Sequence, residues 1–192
     1  MTRDATATRA RVLDAARARF GADGYDRTTI RAVAADAGVD PALVMRYFGG
    51  KDGLFTQAAD LDLDLPDLAG TAVDDVPALL LERFVAVWER DATFMALLRA
   101  SASSETAAAR MREVFTSQVA PALAVVAVDQ PDRRAALVAS QVLGLAVARY
   151  LVRLPSLVDL ETDDLLAWVG PVLLHHLTAP LPGGSPPATG SS

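Results

Sequence analysis

The cationic side chains of this sequence are concentrated near its start, where they could bind phosphate. Residues 1–51 hold nine Arg or Lys against six Asp, a charge of +3, whereas the remaining 141 residues hold nine Arg against eighteen Asp or Glu, a charge of −9. The two parts add up to the net charge of −6 for 192 residues. A basic segment on an acidic body is typical of a module that meets nucleic acid while the rest of the chain avoids it.

The segment Thr28–Phe48 predicts the shape of that module. Thr29 is a good N-cap, and Gly38 can turn the chain after one short helix because a positive φ carries no Cβ penalty for glycine. Asp40 and Pro41 then start a second helix, as its cap and its first residue. Apolar residues share one face of the first helix: Ile30, Val33, Ala34 and Ala37. The pattern predicts a helix-turn-helix; an ordinary pair of packed helices is the alternative.

The second of these helices would enter the major groove of DNA. Its outward side chains would be Pro41, Ala42, Leu43, Met45 and Arg46, with Val44 and Phe48 pointing inward. Lys51, the single lysine of the chain, follows this helix, where an ammonium group can hold a phosphate and fix the docking orientation. A solvated surface lysine is the alternative for that position.

No arrangement of residues predicts a catalytic or metal site. The absence of cysteine excludes thiolate chemistry and a disulfide scaffold, and it fits a reducing cytoplasm. His175 and His176 are adjacent and point to different faces, and no Glu precedes a His by three residues, so the common helical di-metal pattern is missing. The pairs Asp74-Asp75 and Asp163-Asp164 are interpreted as helix-start charges. We therefore expect no enzyme activity, no metal and no cofactor.

Helical periodicity covers nearly the whole chain, and no run alternates apolar and polar residues over a strand length, so the expected fold is all-α. A loose basic arm over residues 1–7 should precede a first helix from Thr8 to about Phe20. After the helix-turn-helix, a helix from Asp52 to about Leu65 should end in a solvated acidic face formed by Asp60, Asp62 and Asp64. Further helices are expected over residues 77–90, 92–101, 105–128 with a kink at Pro121, 132–153 and 163–177.

The hydrophobic content of 52% requires a membrane helix to be considered. The longest uncharged runs, at 114–128 and 135–148, are shorter than the roughly 20 residues that span a bilayer. The start of the chain has no apolar segment of the kind found in secretory signals. These features favour a cytoplasmic protein without membrane contact. Residues 178–192, rich in Pro, Gly and Ser, should form a disordered tail.

The predicted helix at 132–153 is apolar nearly all round, so it must be covered on every side. Small residues recur along it every four positions: Ala136, Ser140, Gly144 and Ala148. We expect this stripe and the helix at 163–177, with Trp168 and Val172, to pack on a second copy as a four-helix dimer interface. A central helix in a monomeric bundle is the alternative.

Three runs of the sequence carry a family resemblance. They are Phe20-Gly21-x-x-Gly24-Tyr25, then Thr28-Thr29-Ile30 with Val33-Ala34 and Ala37-Gly38-Val39, and finally Tyr47-Phe48-Gly49-Gly50-Lys51-Asp52-Gly53-Leu54-Phe55. In their order and spacing these runs, within residues 8–60, resemble the TetR family of bacterial transcriptional regulators. The run from Ala139 to Tyr150 resembles the second half of that family more weakly.

The resemblance implies a homodimer that binds a palindromic double-stranded DNA operator and is released by a small-molecule effector. It places Thr29 and Lys51 at positions that touch phosphate, makes Arg31 a further contact, and puts Tyr47 on the recognition segment. Met45 stands where the family often has tyrosine or another polar or aromatic residue. Arg46 is then the predicted reader of guanine, because its guanidinium can pair with O6 and N7 of that base.

An effector site is expected among the C-terminal helices. Its candidate residues are Phe84, Trp88, Met95, Met111, Phe115, Gln118, Gln141 and Tyr150. Plain core packing is the alternative for each of them. Gln118 and Gln141 are the most informative, because a buried amide needs a hydrogen-bond partner and a ligand can supply one. The apolar surroundings predict a mostly apolar effector.

The sequence therefore predicts a helix-turn-helix DNA-binding domain at 1–50, a helical effector-binding and dimerisation domain at 51–177, and the tail at 178–192. The expected function is a repressor that binds its operator as a homodimer and leaves it when an effector binds. Effector binding would favour a dimer geometry that no longer matches successive major grooves. A dimeric helical adaptor that binds proteins without sequence-specific DNA binding is the alternative.

Overall fold

The computed structural model describes residues 3–90 and 92–180, and within them every regular element is a helix. The α-helices are α1 Arg3–Arg27, α2 Ile30–Ala37, α3 Pro41–Phe48, α4 Lys51–Ala58, α5 Val76–Arg90, α6 Ala92–Ala100, α7 Glu105–Val114, α8 Ala120–Ala124, α9 Pro131–Ala146, α10 Pro155–Val158 and α11 Thr162–Thr178. A 3-10 turn, Val73–Asp75, precedes α5, and π-helical segments, Phe115–Val119 and Val147–Leu151, follow α7 and α9. The all-α prediction is confirmed.

The chain forms two compact units. The first contains the residues up to Asp64 together with Arg83–Gln118, and the second contains Leu65–Glu82 together with the residues from Val119 onward. Within the first unit, α1 packs on α2, α4 and α6, and α7 packs on α4 and α6. Within the second unit, α9 packs on α8 and α11. The predicted functional boundaries at residues 50 and 177 stay predictions.

The first helix begins earlier than expected. Helix α1 starts at Arg3, so residues 3–7 are helical and the predicted loose arm is wrong there. Asp4 lies in the first turn, where a carboxylate favours the helix dipole, and the alanines that follow have high helix propensity. Gly24 interrupts the end of α1 with φ 78° and ψ 171°, a conformation that residues with a Cβ rarely adopt.

Helix α4 is shorter than expected, because it ends at Ala58 and an irregular connection begins at Ala59. In its first part, Leu61 and Leu63 are buried, whereas Asp60, Asp62 and Asp64 are exposed. This is an apolar and polar alternation of the kind that favours extended chain, so the sequence does contain such a run and the predicted helix to Leu65 is wrong. We call residues 59–64 the acidic strap.

Long helices of the C-terminal part contain irregular turns. The π-helical segment Phe115–Val119 separates α7 from α8, and Pro121 lies in the first turn of α8, so the helix is irregular where a kink is expected, and the kink itself stays a prediction. A proline in this position removes a backbone donor that an uninterrupted helix would use. Helix α9 likewise continues as a π-helical segment after Ala146. The predicted disordered tail lies mainly at residues 181–192, outside the described residues.

One buried arginine holds the second unit together. Arg134 is 2% exposed, and its Nη1 and Nη2 each donate to the last carbonyls of the α11 region, those of His176 and Ala179, at 2.7 Å. Its Nε donates to the main-chain oxygen and the carboxylate of Asp129. Carbonyls at the end of a helix lack partners within the helix, so Arg134 satisfies them and fixes α9 against α11.

Candidate nucleic-acid interface

The helix-turn-helix is built by local caps, as its sequence predicts. The Thr29 hydroxyl accepts a hydrogen bond from the Ala32 amide at 3.2 Å, which caps α2. Gly38 has φ 64°, and the following amide, that of Val39, donates to the Ala34 carbonyl at 2.9 Å. The Asp40 carboxylate then accepts from the Ala42 amide at 2.7 Å and starts α3. These bonds fix the angle between the two helices without help from distant residues.

Helix α3 presents the side chains that the sequence predicts for base contact. Pro41, Ala42, Met45 and Arg46 are exposed, while Leu43 and Tyr47 are half-buried. Val44 and Phe48 are buried, as predicted, and they anchor the inner face of the helix. The Arg46 guanidinium lies 5.5 Å from the centroid of the Tyr47 ring, so this arginine is held beside its neighbour with its donors accessible.

Three arginines of α1 form hydrogen bonds with other helices of the first unit. Arg19 forms a fork with the Asp36 carboxylate of α2, Nε to Oδ2 at 2.5 Å and Nη2 to Oδ1 at 3.0 Å. Hydrogen bonding to Arg19 holds the pKa of Asp36 below its usual range. Arg17 donates to the Ala58 carbonyl at the end of α4, and Arg9 hydrogen-bonds to Gln57. These three arginines therefore form hydrogen bonds within the first unit.

The predicted phosphate contacts have different surroundings. Thr29 and Arg31 are exposed at the start of α2. Lys51 is half-buried at the start of α4, where its Nζ donates to the Asp26 carbonyl at 3.1 Å and lies 4.4 Å from the centroid of the Tyr25 ring. These two partners could not be predicted from the local sequence, because they lie at the end of α1, 26 and 25 residues earlier in the chain.

The predicted dimer residues lie on a broad exposed face of α9 and α11 in the second unit. On α9, Ala136, Ser140 and Gly144 are exposed and the stripe ends at Ala148, half-buried in the π-helical segment. On α11, Trp168 is 77% exposed and Val172 is 40% exposed. The pattern of small residues missed Leu137, which is 44% exposed beside the stripe. Among residues 65–82 and 119–180, the described part of the second unit, no segment covers these exposed side chains.

The same stretch of chain passes a simple membrane criterion. By length and composition alone, Pro131–Leu151 is the one helix among the described residues that could cross a bilayer, although only 28% of its most apolar window is buried in the chain. An apolar helix that packs on a second protein copy meets the same criterion. The finding is weak evidence for a membrane span, and it shows how much apolar surface this helix leaves uncovered.

The predicted effector residues fall into two groups. Six lie on α5, α6, α7 and the π-helical segment after α7, within the first unit: Phe84, Trp88, Met95, Met111, Phe115 and Gln118. Gln141 and Tyr150 belong to the second unit, where Gln141 is exposed on α9. Open clefts on the first unit, of about 410 and 310 Å³, are lined by polar residues of α1, α4 and α7 and not by any predicted effector residue.

Gln118 has its hydrogen-bond partners in the acidic strap. Its Oε1 accepts from the Leu63 amide and its Nε2 donates to the Leu61 carbonyl, both at 2.7 Å. The buried amide that was expected to need a ligand thus pairs with the main chain. An effector contact by Gln118 stays a prediction, and such a contact would have to compete with the strap.

Two arginines hold the acidic strap at its ends. Arg110 of α7 donates to the Ala59 carbonyl at 3.0 Å and pairs with the Asp60 carboxylate at 2.7 Å. Arg83 of α5 donates to the Leu63 carbonyl at 2.5 Å and pairs with Asp64 at 3.3 Å. The segment that leaves α4 is therefore fastened to α5 and α7 by side chains that the sequence alone did not single out.

The described residues contain no cluster of three or more His, Cys, Asp or Glu side chains that could hold a metal ion. The expectations of no metal and no cofactor stay predictions.

Comparison with known families and structures is consistent with this geometry. Residues 12–58 match the family model of bacterial regulatory proteins of the tetR family, and residues 74–177 match the model of the tetracyclin repressor-like C-terminal domain. A solved TetR-family regulator from Streptomyces coelicolor A3 is 30% identical, covering 90% of this chain and 95% of that chain, with a TM-score of 0.64. No curated protein matches the chain.

Two more distant structures share the fold. NalD from Pseudomonas aeruginosa, the secondary repressor of the MexAB-OprM multidrug efflux pump, is 19% identical with a TM-score of 0.65, covering 93% of this chain and 99% of that chain. SmeT, solved as a complex with triclosan, is 24% identical with a TM-score of 0.62, covering 96% of this chain and 100% of that chain.

The C-terminal family model alone covers more than half of the sequence, and the N-terminal model covers the capped helix-turn-helix. An adaptor without DNA binding would not need that module. The chain therefore belongs to the TetR family of DNA-binding transcriptional regulators, and not to a family of enzymes.

Proposed function

We propose that this regulator is a repressor that binds a palindromic operator as a homodimer and is released by a small, mostly apolar effector. The observation that carries the proposal is the rigid, capped pair α2 and α3, which exposes Met45 and Arg46 beside a buried anchor of Val44 and Phe48. A recognition helix that is fixed in this way can present the same side chains to every half-site.

The proposed DNA contacts are of two kinds, contacts to bases and contacts to phosphates. Arg46 reads guanine through its guanidinium fork, while Pro41, Ala42, Leu43, Met45 and Tyr47 shape the rest of the groove contact. Thr29, Arg31 and Lys51 hold phosphates on either side of the groove and set the register of the protein on the duplex. Phosphate contacts supply affinity at any sequence, so specificity depends mainly on α3.

The homodimer is supported by the exposed face of α9 and α11. Trp168 is 77% exposed, and large apolar side chains with this exposure are typical of interfaces, where a tryptophan often contributes much of the binding energy. Exposed small residues at Ala136, Ser140 and Gly144 let a second helix approach closely. A two-fold axis at this face would bury each copy's α9 and α11 against those of the other.

The effector is proposed to act through the helices that hold the acidic strap. Phe84, Trp88 and Met95 are buried on α5 and α6, and the π-helical segment that carries Phe115 and Gln118 follows α7. A ligand that shifts α5 or α7 would pull on the strap and hence on α4, whose first residue is Lys51. The SmeT complex with triclosan and the repressor NalD are precedents for ligand binding and repression on this fold.

The domain assignment completes the proposal. Residues 1–50 form the DNA-binding domain, and residues 51–177, whose first residue Lys51 adds a phosphate contact, bind the effector and form the dimer. Such a protein would work in the cytoplasm, where the DNA is. Coupling between the two sites of about 1–3 kcal/mol would weaken the operator complex roughly 5- to 150-fold when the effector is bound.

The experiment is a selection of duplexes from random DNA with the purified protein, followed by affinity measurements on the enriched duplex. Arg46→Ala should weaken binding by about 1–3 kcal/mol at each half-site and relax the preference for guanine. Arg99→Ala, an exposed arginine of α6, is the matched control and should bind as the parent does. If the Arg46→Ala variant binds with unchanged affinity and base preference, Arg46 does not read guanine. If no duplex is enriched at all, the protein has no specific operator.

A further inference from the structure

Tyr25 stands at the junction between the end of α1 and the start of α4, where Lys51 begins α4. Its ring lies 6.0 Å from that of Phe20 in a stacked arrangement and 4.9 Å from that of Phe55 in an edge-to-face arrangement. Phe20 and Phe55 are each 1% exposed, so they fix one side of the tyrosine against the core.

The hydroxyl group of Tyr25 is also fixed. It donates to the Asp52 carboxylate, which lies in the first turn of α4. Burial and the bond to Asp52 raise the pKa of Tyr25 to about 12, so the phenol keeps its proton and remains a donor. Because its ring and its hydroxyl are both held, the tyrosine cannot swing away from the start of α4.

The ring of Tyr25 also holds Lys51. The ammonium nitrogen lies 4.4 Å from the ring centroid, within the range of a cation–π interaction, and donates one hydrogen bond to the Asp26 carbonyl at 3.1 Å. An ammonium group has three donors, so two remain for a phosphate.

We infer that Tyr25 is a positioning residue for DNA binding, whose ring holds the Lys51 ammonium in the place where it meets the phosphate backbone. The inference rests on the proposed phosphate contact by Lys51. A lysine side chain loses much rotamer freedom when it is fixed, and the ring fixes it before DNA arrives. The phosphate contact therefore depends on a tyrosine that does not itself touch DNA.

The first test uses the fact that Lys51 is the only lysine of the chain. Protein labelled with ¹³C-lysine gives one set of lysine side-chain signals, and the ring current of Tyr25 should shift the ε-methylene protons of Lys51 upfield from their free-lysine position. Tyr25→Phe keeps the ring and should keep the shift, whereas Tyr25→Leu should abolish it. An unshifted lysine signal in the parent protein overturns the inference, whether or not the leucine variant folds.

The second test is the salt dependence of binding to the duplex enriched from random DNA. Each phosphate that a lysine neutralises contributes about 0.9 to the slope of log affinity against log salt, so Lys51→Gln should reduce the slope of a dimer by about two and weaken binding about tenfold. Tyr25→Leu should do the same with Lys51 still present, and the double variant should show no further change. Tyr25→Phe should match the parent.

The outcomes separate the two claims. If Lys51→Gln leaves the salt slope unchanged, the proposed phosphate contact itself fails. If Lys51→Gln lowers the slope but Tyr25→Leu folds and keeps the parent slope, the positioning role fails while the contact stands. A purely structural tyrosine would weaken binding without changing the slope, and its effect would add to that of Lys51→Gln.

Discussion

The two compact units differ in where their exposed apolar surface lies. Among the described residues, the large hydrophobic side chains that remain exposed are Met45 in the first unit and Val125, Val128, Leu137, Val152, Leu154, Trp168 and Val172 in the second. The first unit pairs its polar side chains with its own main chain, as Arg17, Arg110 and Gln118 do around the end of α4. The contrast favours the proposed dimer interface on the second unit and the proposed DNA contact on the first.

The largest expected effect comes from placing a charge on the apolar face of α9 and α11. Trp168→Asp should weaken a homodimer by about 4–8 kcal/mol, because each copy loses an interface tryptophan worth about 2–4 kcal/mol and the change occurs twice. Sedimentation of the purified variant should show a monomer. Val125→Asp, at the end of α8, is the control with a similarly exposed side chain. A dimer that survives Trp168→Asp would place the interface elsewhere.

Substitution of Arg134 tests how much its buried hydrogen bonds contribute to the stability of the second unit. Arg134→Met should lower the free energy of unfolding by about 3 kcal/mol, because the carbonyls of His176, Ala179 and Asp129 lose their donor inside the unit. Denaturant unfolding measures the loss. Arg133→Met changes an exposed neighbour and should cost less than about 0.5 kcal/mol. Equal effects of the two substitutions would show that the buried hydrogen bonds contribute little.

The two glutamines predicted to contact an effector provide a comparison between the units. Gln118→Leu should lower the free energy of unfolding by about 1–2 kcal/mol, since the strap amide of Leu63 and the carbonyl of Leu61 lose their partner. Gln141→Leu, on the exposed face of α9, should have an effect of less than about 0.5 kcal/mol. Thermal unfolding of both variants checks this, and a neutral Gln118→Leu would mean that the strap is not held by the amide.

The smallest expected effect concerns pH. Burial lowers the pKa of His176, with a further contribution from the neighbouring His175, so the folded chain keeps this histidine neutral where the unfolded chain protonates it. The unfolded state then binds more protons below the ordinary histidine pKa of about 6.5, and stability should fall as the pH drops through that value. His176→Phe should flatten the pH dependence of the melting temperature between about pH 5.5 and 7.5, and His175→Gln should not.

Local rules predicted the helix-turn-helix well. The caps at Thr29 and Asp40 and the turn at Gly38 depend on residues within a few positions of one another, and all of them form as expected. Burial of Val44 and Phe48 follows from the same helical period. A structure that is specified by neighbouring residues can be inferred from one sequence.

Structure that depends on distant partners could not be inferred. The acidic strap alternates leucine and aspartate, but the pattern joins directly onto the helical period of α4, so the sequence predicts further turns of that helix there. Arg83, Arg110 and Gln118 hold the strap by hydrogen bonds. These bonds can be predicted only if it is known which helices pack beside the strap. The same is true of Lys51, whose partners Tyr25 and Asp26 precede it by 26 and 25 residues.

The proposed function requires that a dimer formed through the apolar face of the second unit holds two recognition helices at a fixed spacing. The direct measurement is the affinity for the enriched duplex before and after about five base pairs, half a helical turn, are inserted between its half-sites. We expect the selected duplex to be an inverted repeat whose half-sites are one helical turn apart or a multiple of it. The insertion should remove most of the affinity of the protein for this duplex. A selected sequence with a single half-site, or undiminished affinity after the insertion, would contradict it.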